Sequence, residues 1–138
     1  MSSACIFCKI IAGDIPSHRV FENEAAVAFL DIGPLSEGHT LLVPRRHAER
    51  IDDLPAEDAA AVGWLLPRLS RAIMSATSSP GLNILQNNGR VAGQIVDHVH
   101  FHLIPRHEGD HLGFRWNAGT YPRGRAEELL RLIQSALS

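Results

Sequence analysis

The sequence predicts a single-domain α+β fold in which a five-stranded antiparallel sheet is combined with two main helices. The chain has 138 residues, which suits one domain, and 45% of them are hydrophobic, enough to form a buried core. Five strand patterns follow one another in hairpin order, while the helical patterns are kept separate from them. This segregation favours an antiparallel sheet over the parallel sheet that alternating strands and helices would form.

The first half of the chain contains a short helix and three strands. Two runs with strand composition, Arg19–Glu22 and Ala26–Leu30, flank a tight turn, and a third covers 39–43 and stops at Pro44. The helix precedes them and is indicated by four apolar residues at helical spacing, Ile6, Phe7, Ile10 and Ile11.

The second half begins with a long helix. Pro55 opens it, since proline is tolerated in the first turn, and the apolar stripe runs to about Thr77. Asp52 or Asp53 is the expected N-cap. Two strands follow.

Those strands are predicted over 82–86 and 97–104, with a glycine-containing loop between them. The polar segment 109–124 is expected to be variable, and Trp116 within it is a candidate ligand contact or an ordinary packing residue. A last helix, over 126–137, is expected to bury four apolar residues, Leu129, Leu130, Ile133 and Leu137.

Charge and hydropathy exclude several classes of partner. The formal net charge is −2 and no basic run is present, so binding to long nucleic acid by charge is not expected. No apolar run approaches the roughly 20 residues of a membrane-spanning helix. The N-terminus lacks the basic and apolar regions of a secretion signal, so we expect a cytoplasmic protein without a membrane partner.

Three histidines alternate along the last predicted strand. Strand side chains alternate between faces, so His98, His100 and His102 share one face. The structural interpretations are a solvated histidine face, histidines satisfied by backbone groups, and a three-histidine metal site. The nearby segments 87–89 and 93–94 offer amide and backbone N–H donors of the kind that bind an anion, which favours a catalytic interpretation.

Several motifs together resemble the histidine triad (HIT) superfamily, in particular its Hint-like bacterial branch. The stretch 94–104 contains the His-x-His-x-His pattern followed by apolar residues. Residues 5–16 resemble the N-terminus of that branch, and 29–32, 38–44 and 87–89 follow in the expected order. The resemblance covers nearly the whole chain and implies a HIT-like fold.

The resemblance implies a role for each histidine near the phosphate. His100 would attack the α-phosphorus of a nucleotide, and the backbone near His98 would orient its ring. His102 would contact the phosphate oxygens or assist the leaving group, and Gln94 would donate its amide to the same oxygens. His39 would support the triad. Neutral imidazole is a suitable nucleophile near neutral pH.

The resemblance also implies a nucleoside pocket. Asp31 matches a ribose-binding carboxylate, although a turn-forming aspartate is an equal alternative. Asn87 matches a residue near the ribose and phosphate. Ile95 stands where a serine is common and Leu30 where some relatives have histidine, so one phosphate contact is missing and the base pocket differs. Five apolar residues match the base sandwich, with ordinary core packing as the alternative: Ile6, Phe7, Ile10, Phe29 and Ile32.

The only two cysteines, Cys5 and Cys8, are spaced C-x-x-C. They could form a redox pair, but no βαβ pattern surrounds them, and a metal site is favoured. The resemblance completes a structural Zn²⁺ site with His47 and His98. The remaining histidines, His18, His107 and His111, are expected in loops or on the surface.

The leading expectation is a hydrolase or transferase that releases a nucleoside monophosphate from purine nucleotide conjugates of the phosphoramidate type. The alternatives are a dinucleoside polyphosphate hydrolase and a non-catalytic nucleotide-binding or zinc-bearing interaction protein. The resemblance further implies a symmetric homodimer, and the chemistry itself needs no cofactor.

Overall fold

The computed structural model describes residues 4–113 and 117–137, and it contains one sheet and three α-helices in these ranges. Two short 3₁₀ turns, Ile51–Asp53 and Arg90–Ala92, lie in the loops. In chain order, the elements are α1 Ile6–Ala12, β1 Arg19–Glu22, β2 Ala26–Leu30, β3 Thr40–Pro44, α2 Ala56–Thr77, β4 Gly81–Gln86, β5 Phe101–Arg106 and α3 Arg125–Leu137.

The sheet has the strand order β1-β2-β3-β5-β4, and the pairs are antiparallel throughout. The predicted five-stranded antiparallel sheet in an α+β fold is therefore confirmed. The central pair β3–β5 places Leu41 opposite His102, so the histidine segment lies in the middle of the sheet. The strands β1 and β4 form its two edges.

Both faces of β2 and β3 are covered because side chains alternate between them. Ala28 and Leu42 point to the face that packs against Leu65 and Leu69 of α2. The other face packs against α1 through a second apolar cluster, which consists of Phe7, Ile10, Ile11, Val27, Phe29, Leu41 and Val43. The histidine site forms beside this second cluster.

The last strand begins later than the sequence pattern indicates. The predicted strand 97–104 is observed as Phe101–Arg106, so His98 and His100 precede it. The cause is a change of hydrogen-bonding partner, since the N–H of Val99 donates to Ala48 O at 2.8 Å. The β3 ladder reaches β5 only as far as the pair Leu42 and Phe101.

The cap predicted for the long helix is also wrong. Pro55 occupies the N-cap position of α2, and no side chain caps the helix. Asp52 and Asp53 instead lie in the 3₁₀ turn Ile51–Asp53, where Asp52 pairs with Arg50.

No helix in the described ranges is long and apolar enough to cross a membrane. The cytoplasmic location stays a prediction.

The burial predicted for α3 is wrong as well. None of its described residues is buried, and Leu130, Ile133 and Leu137 are more than half exposed. The helix forms as the sequence pattern predicts, but no element among the described residues buries its apolar face. Trp116 lies outside the described residues.

Candidate active site

A pocket of about 420 Å³ opens between α1, the loop after β2 and the histidine segment. Its walls are mostly apolar, and His100, His102, Asp31 and Asn87 supply polar groups. The five residues that the sequence suggested for a base sandwich all line it, namely Ile6, Phe7, Ile10, Phe29 and Ile32. Apolar walls with a few convergent polar groups are typical of a small-molecule site.

The ring of His100 is held by its own backbone neighbourhood. Its Nδ1–H donates to the carbonyl oxygen of His98 at 2.7 Å. A carbonyl only accepts, so the Nδ1 atom carries the proton and a neutral ring keeps its lone pair on Nε2. Burial lowers the pKa of His100, which favours this neutral form. His100 therefore has a bare nitrogen in a ring that lines the pocket.

His102 on β5 is linked to His39, which lies one residue before β3 begins. The Nδ1 atom of His102 lies 2.9 Å from Nε2 of His39, and the N–H of Leu35 donates to Nδ1 of His39 at 3.0 Å. Burial, followed by the neighbouring rings of His100 and His39, lowers the pKa of His102 to about 4. Burial likewise lowers the pKa of His39, against the opposing effect of Asp31.

Asp31 has two structural partners at the pocket edge. Its Oδ1 accepts the N–H of Gly33 at 2.8 Å, which forms the turn that the sequence offered as an alternative role. Its Oδ2 lies 3.6 Å from Nε2 of His39. The side chain lines the pocket at the same time, so the turn orients this carboxylate at the pocket edge.

Gln94 does not have the role that the resemblance implied. Its side-chain amide is buried and donates to Glu49 O at 2.6 Å and to Val96 O at 3.0 Å. Both amide hydrogens are thereby used, and Oε1 accepts the N–H of Gly89 at 2.7 Å. Gln94 holds the loop before the histidines in place and has no hydrogen left for a phosphate oxygen.

A second polar cluster lies at the N-terminal end of α1. It consists of Cys5, Cys8, His47 and His98, whose ligand atoms all lie within 4.8 Å of one another. The Sγ atom of Cys8 is 3.3 Å from Nδ1 of His47 and 3.6 Å from Nδ1 of His98, and Sγ of Cys5 is 3.4 Å from the latter.

The ring of His98 presents an unprotonated nitrogen to the two cysteines. Its Nε2–H donates to the carbonyl oxygen of Pro44 at 2.8 Å, so a bare Nδ1 faces the two sulfur atoms. Burial lowers the pKa of His98 to about 4, which keeps that nitrogen unprotonated. In a tetrahedral zinc site the ligand atoms lie about 3.3–3.8 Å apart. The Cys–His separations of 3.3, 3.4 and 3.6 Å lie in this range and the His47–His98 separation of 3.1 Å lies just below it, so the four residues fit a zinc ion.

Several pocket residues escaped the sequence analysis. Leu41 faces the pocket beside Phe29, its partner in the β2–β3 register, so strand pairing could have identified it. The contact of the Leu35 amide with His39 could not be predicted, because the sequence does not reveal the backbone geometry of a loop. Ile95, which the sequence singled out, lines the rim of the pocket and is 82% exposed.

Comparisons with known proteins agree with this geometry. A family model described as the HIT domain matches residues 12–109. An adenosine 5'-monophosphoramidase of Schizosaccharomyces pombe is 45% identical over 120 residues, which are 86% of each protein. An adenylylsulfatase of Arabidopsis thaliana is 41% identical over 110 residues, 80% of this chain and 56% of that protein.

Solved structures of histidine triad proteins are also similar to this chain. A member of the HIT family from Bacillus subtilis superimposes with a TM-score of 0.93 at 42% identity and covers 99% of each chain. A Zn-bound histidine triad family protein from Mycobacterium smegmatis has a TM-score of 0.76 at 37% identity, over 97% of this chain and 95% of that one. Because the family model spans most of the chain and the relatives are named as nucleotide hydrolases, this protein belongs to the HIT domain family and is a hydrolase of the histidine triad type.

Proposed function

We propose that the protein hydrolyses purine nucleotide conjugates of the phosphoramidate type at the α-phosphorus. The reaction passes through a covalent nucleotidyl intermediate on His100 and releases a nucleoside monophosphate. The observation that carries this proposal is the 2.7 Å hydrogen bond from Nδ1 of His100 to the carbonyl of His98, since it leaves a bare Nε2 in a pocket-lining ring.

The proposed reaction has two displacement steps. The lone pair of Nε2 of His100 forms a bond to phosphorus, the phosphorus–nitrogen bond of the substrate breaks, and the amine leaves with that electron pair and takes up a proton. Water then attacks phosphorus and loses a proton, while the phosphorus–Nε2 bond breaks and returns its electron pair to His100. Two such steps are each easier than one direct hydrolysis.

The neighbouring groups support this chemistry. A neutral His102 has one N–H to offer a phosphate oxygen, and Asp31 can accept from two ribose hydroxyls. The apolar walls formed by Phe7 and Phe29 suit a purine ring. The names of the relatives support an adenosine nucleotide.

The described pocket walls contain neither lysine nor arginine. A dinucleoside polyphosphate would bring several phosphate charges next to the reacting one, and such charges are usually bound by these two residue types. The pocket therefore favours a substrate with one phosphate over the polyphosphate alternative.

Turnover of two substrates by four proteins tests the proposal. The wild type is incubated with an adenosine phosphoramidate and with a dinucleoside polyphosphate, and product formation is compared with that of His100→Ala, His100→Asn and His107→Ala. We expect release of adenosine monophosphate from the phosphoramidate, and a loss of more than about a thousandfold when His100 is replaced. His107→Ala should match the wild type, since this exposed residue lies outside the pocket.

Two results would contradict the proposal. Full activity of either His100 variant would exclude this residue as the nucleophile. Faster cleavage of the polyphosphate by the wild type would favour the alternative substrate class.

We also propose that Cys5, Cys8, His47 and His98 bind one structural zinc ion. The bare Nδ1 of His98, the two thiols and the spacing of the four ligand atoms support it. A metal with four protein ligands has no open position, so it would fix α1 to the sheet and take no part in the chemistry.

A homodimer is the third proposal. Two uncovered surfaces support it: the apolar face of α3 and the edge strand β4, where Ile84 and Leu85 are exposed. Trp64 on α2 is also largely exposed. Apolar surface of this kind is typical of contacts between protein chains, and we propose a second copy of this chain as the partner.

A further inference from the structure

His39, just before β3, and His102 on β5 share one hydrogen bond, and its direction decides which hydrogen bonds the site can donate. The bond joins Nε2 of His39 and Nδ1 of His102 at 2.9 Å. A neutral imidazole has one N–H and one bare nitrogen, so either ring could be the donor if the two were alone. The other nitrogen of each ring then has the opposite character.

A backbone amide removes this ambiguity. The N–H of Leu35 lies 3.0 Å from Nδ1 of His39 and can only donate. The Nδ1 atom of His39 must therefore be bare, and its proton must be on Nε2. That proton is donated to Nδ1 of His102, so the proton of His102 is on its own Nε2.

The opposite arrangement is chemically excluded for a neutral pair. If His102 donated from Nδ1, both nitrogens of His39 would accept and the ring would hold no proton at all. Burial lowers the pKa of both histidines, which keeps the rings neutral rather than doubly protonated near pH 7.

The loop that supplies this amide is held firmly. The hydroxyl of Ser36 donates to Pro105 O at 2.7 Å, which ties the loop to β5. Gly38 has a φ of 91°, and a Cβ atom built there would lie 2.5 Å from Cγ2 of Thr77. Only glycine suits this position, and the close packing against α2 fixes the end of the loop next to His39.

The amide of Leu35 also argues against a metal site at His39 and His102. Asp31, His39 and His102 lie close enough together to suggest a metal site. A metal on Nε2 of His39 would force the proton onto Nδ1, where it would face the N–H of Leu35. Two donors would then point at each other, so the cluster is organised for hydrogen bonding instead of coordination.

We propose that the backbone N–H of Leu35 is a positioning group that fixes the proton of His102 on Nε2, where the ring donates to a phosphate oxygen of the substrate. This proposal rests on the proposed function, which supplies the phosphate. The two neighbouring rings then have opposite tautomers, each fixed by one backbone group. His100 presents a lone pair because of the carbonyl of His98, and His102 presents an N–H because of the amide of Leu35.

Long-range ¹⁵N–¹H correlation spectra of the ligand-free protein test the tautomers directly, since a protonated ring nitrogen and a bare one have well-separated shifts. The chain has eight histidines, and the signals are assigned with His39→Gln and His102→Gln. We expect the proton on Nε2 in both His39 and His102. A proton on Nδ1 of His102 would overturn the proposal.

Replacing the amide at position 35 by an ester tests whether the N–H of Leu35 sets the tautomer of His102. Leucic acid introduced there by nonsense suppression keeps the Leu35 side chain and turns the donor into a weak acceptor. His39 can then donate from Nδ1, and we expect a measurable fraction of His102 to move its proton to Nδ1. An unchanged spectrum would show that Leu35 does not set the tautomer, while Leu35→Ala, which keeps the amide, should retain the wild-type pattern.

The kinetic readout separates this proposal from the proposed function. With the ester, kcat for the phosphoramidate should fall about tenfold while KM changes less than about twofold, as expected for a lost transition-state contact. If the wild type cleaves no phosphoramidate, the proposed function fails whatever the spectra show. If it does and the ester protein has the same kcat, the positioning role fails alone.

Discussion

At the scale of single residues, the three histidines of the triad differ because their hydrogen-bonding partners differ. His98 donates to the carbonyl of Pro44 and turns a bare nitrogen toward two thiols. His100 donates to the carbonyl of His98 and keeps a bare nitrogen in the pocket. His102 accepts from His39 and retains its own N–H. Identical side chains thus acquire three different roles from their hydrogen bonds.

The lowered pKa of His102 makes stability depend on pH. Its pKa is about 4 in the folded protein and near 6.5 in the unfolded chain, so the unfolded chain binds more protons between these values. The stability that the neutral ring of His102 contributes is therefore fully present above pH 6.5 and is lost as the pH falls toward 4. We expect the unfolding free energy to drop between pH 7.5 and pH 5 by about 1 kcal/mol more in wild type than in His102→Gln, after discounting for solvent screening.

Urea unfolding at the two pH values measures this difference, and His107→Gln serves as the control. His107 is exposed and should leave the pH dependence of the wild type unchanged. If His102→Gln loses as much stability as the wild type on acidification, the ring of His102 is not protected from protonation by folding.

At the scale of elements, α1 connects the two polar clusters. The helix has only seven residues, too few to be stable alone, and it packs against the sheet through Phe7, Ile10 and Ile11. Arg19 donates to the carbonyls of Ile10 and Ile11 and so fixes the C-terminal end. Cys5 and Cys8 belong to the proposed zinc site at the N-terminal end, and Phe7 between them packs edge-on against His100.

Removal of the metal should therefore loosen α1 and weaken nucleoside binding. We expect about one zinc per chain by mass spectrometry, and faster hydrogen exchange in α1 after treatment with a chelator, since one end of the helix loses its attachment. Exchange in β4 and β5 away from the site should change little. The affinity for adenosine monophosphate should fall, because Ile6, Phe7 and Ile10 line the pocket.

Cys8→Ser provides the matched control for the chelator. This variant should bind little zinc and respond to the chelator much less than the wild type. A wild-type protein that contains no zinc, or whose α1 exchange is unaffected by chelation, would contradict the proposed site.

At the scale of the whole molecule, apolar surface remains uncovered in a single chain. The described residues of α3 make a regular amphipathic helix, yet Leu130 and Ile133 are 55% and 60% exposed. The hydrophobic effect favours covering such a face, and a second chain with the same surfaces could cover it by symmetry.

Light scattering coupled to size exclusion tests the proposed dimer. We expect a mass near twice the chain mass of 15.1 kDa for the wild type. The double variant Leu130→Glu/Ile133→Glu places charges on the apolar face of α3 and should shift the protein toward the monomer.

Arg131→Glu changes a charge on an exposed residue of the same helix and should remain dimeric. A monomeric wild type would exclude the homodimer, while a double variant that stays dimeric would exclude α3 from the interface.

The sequence by itself was sufficient for the elements whose residues signal their own environment. A continuous apolar run beside a tight turn located β2, the long apolar stripe located α2 to within one residue, and the five strands were all identified. The residue types of the site were also recognisable, since the histidine pattern, Asp31 and the C-x-x-C pair stand at characteristic spacings. These features depend on residues that are close together in the chain.

Only the tertiary structure decided the partners of those residues. Gln94 donates to Glu49, 45 positions away, and so is used for structure rather than for phosphate binding. The start of β5 depends on a hydrogen bond to Ala48, and the tautomer of His102 depends on the amide of Leu35 in a distant loop. Such bonds are directional and form between segments that folding brings together, so the sequence pattern predicts which groups are available but not which of them pair.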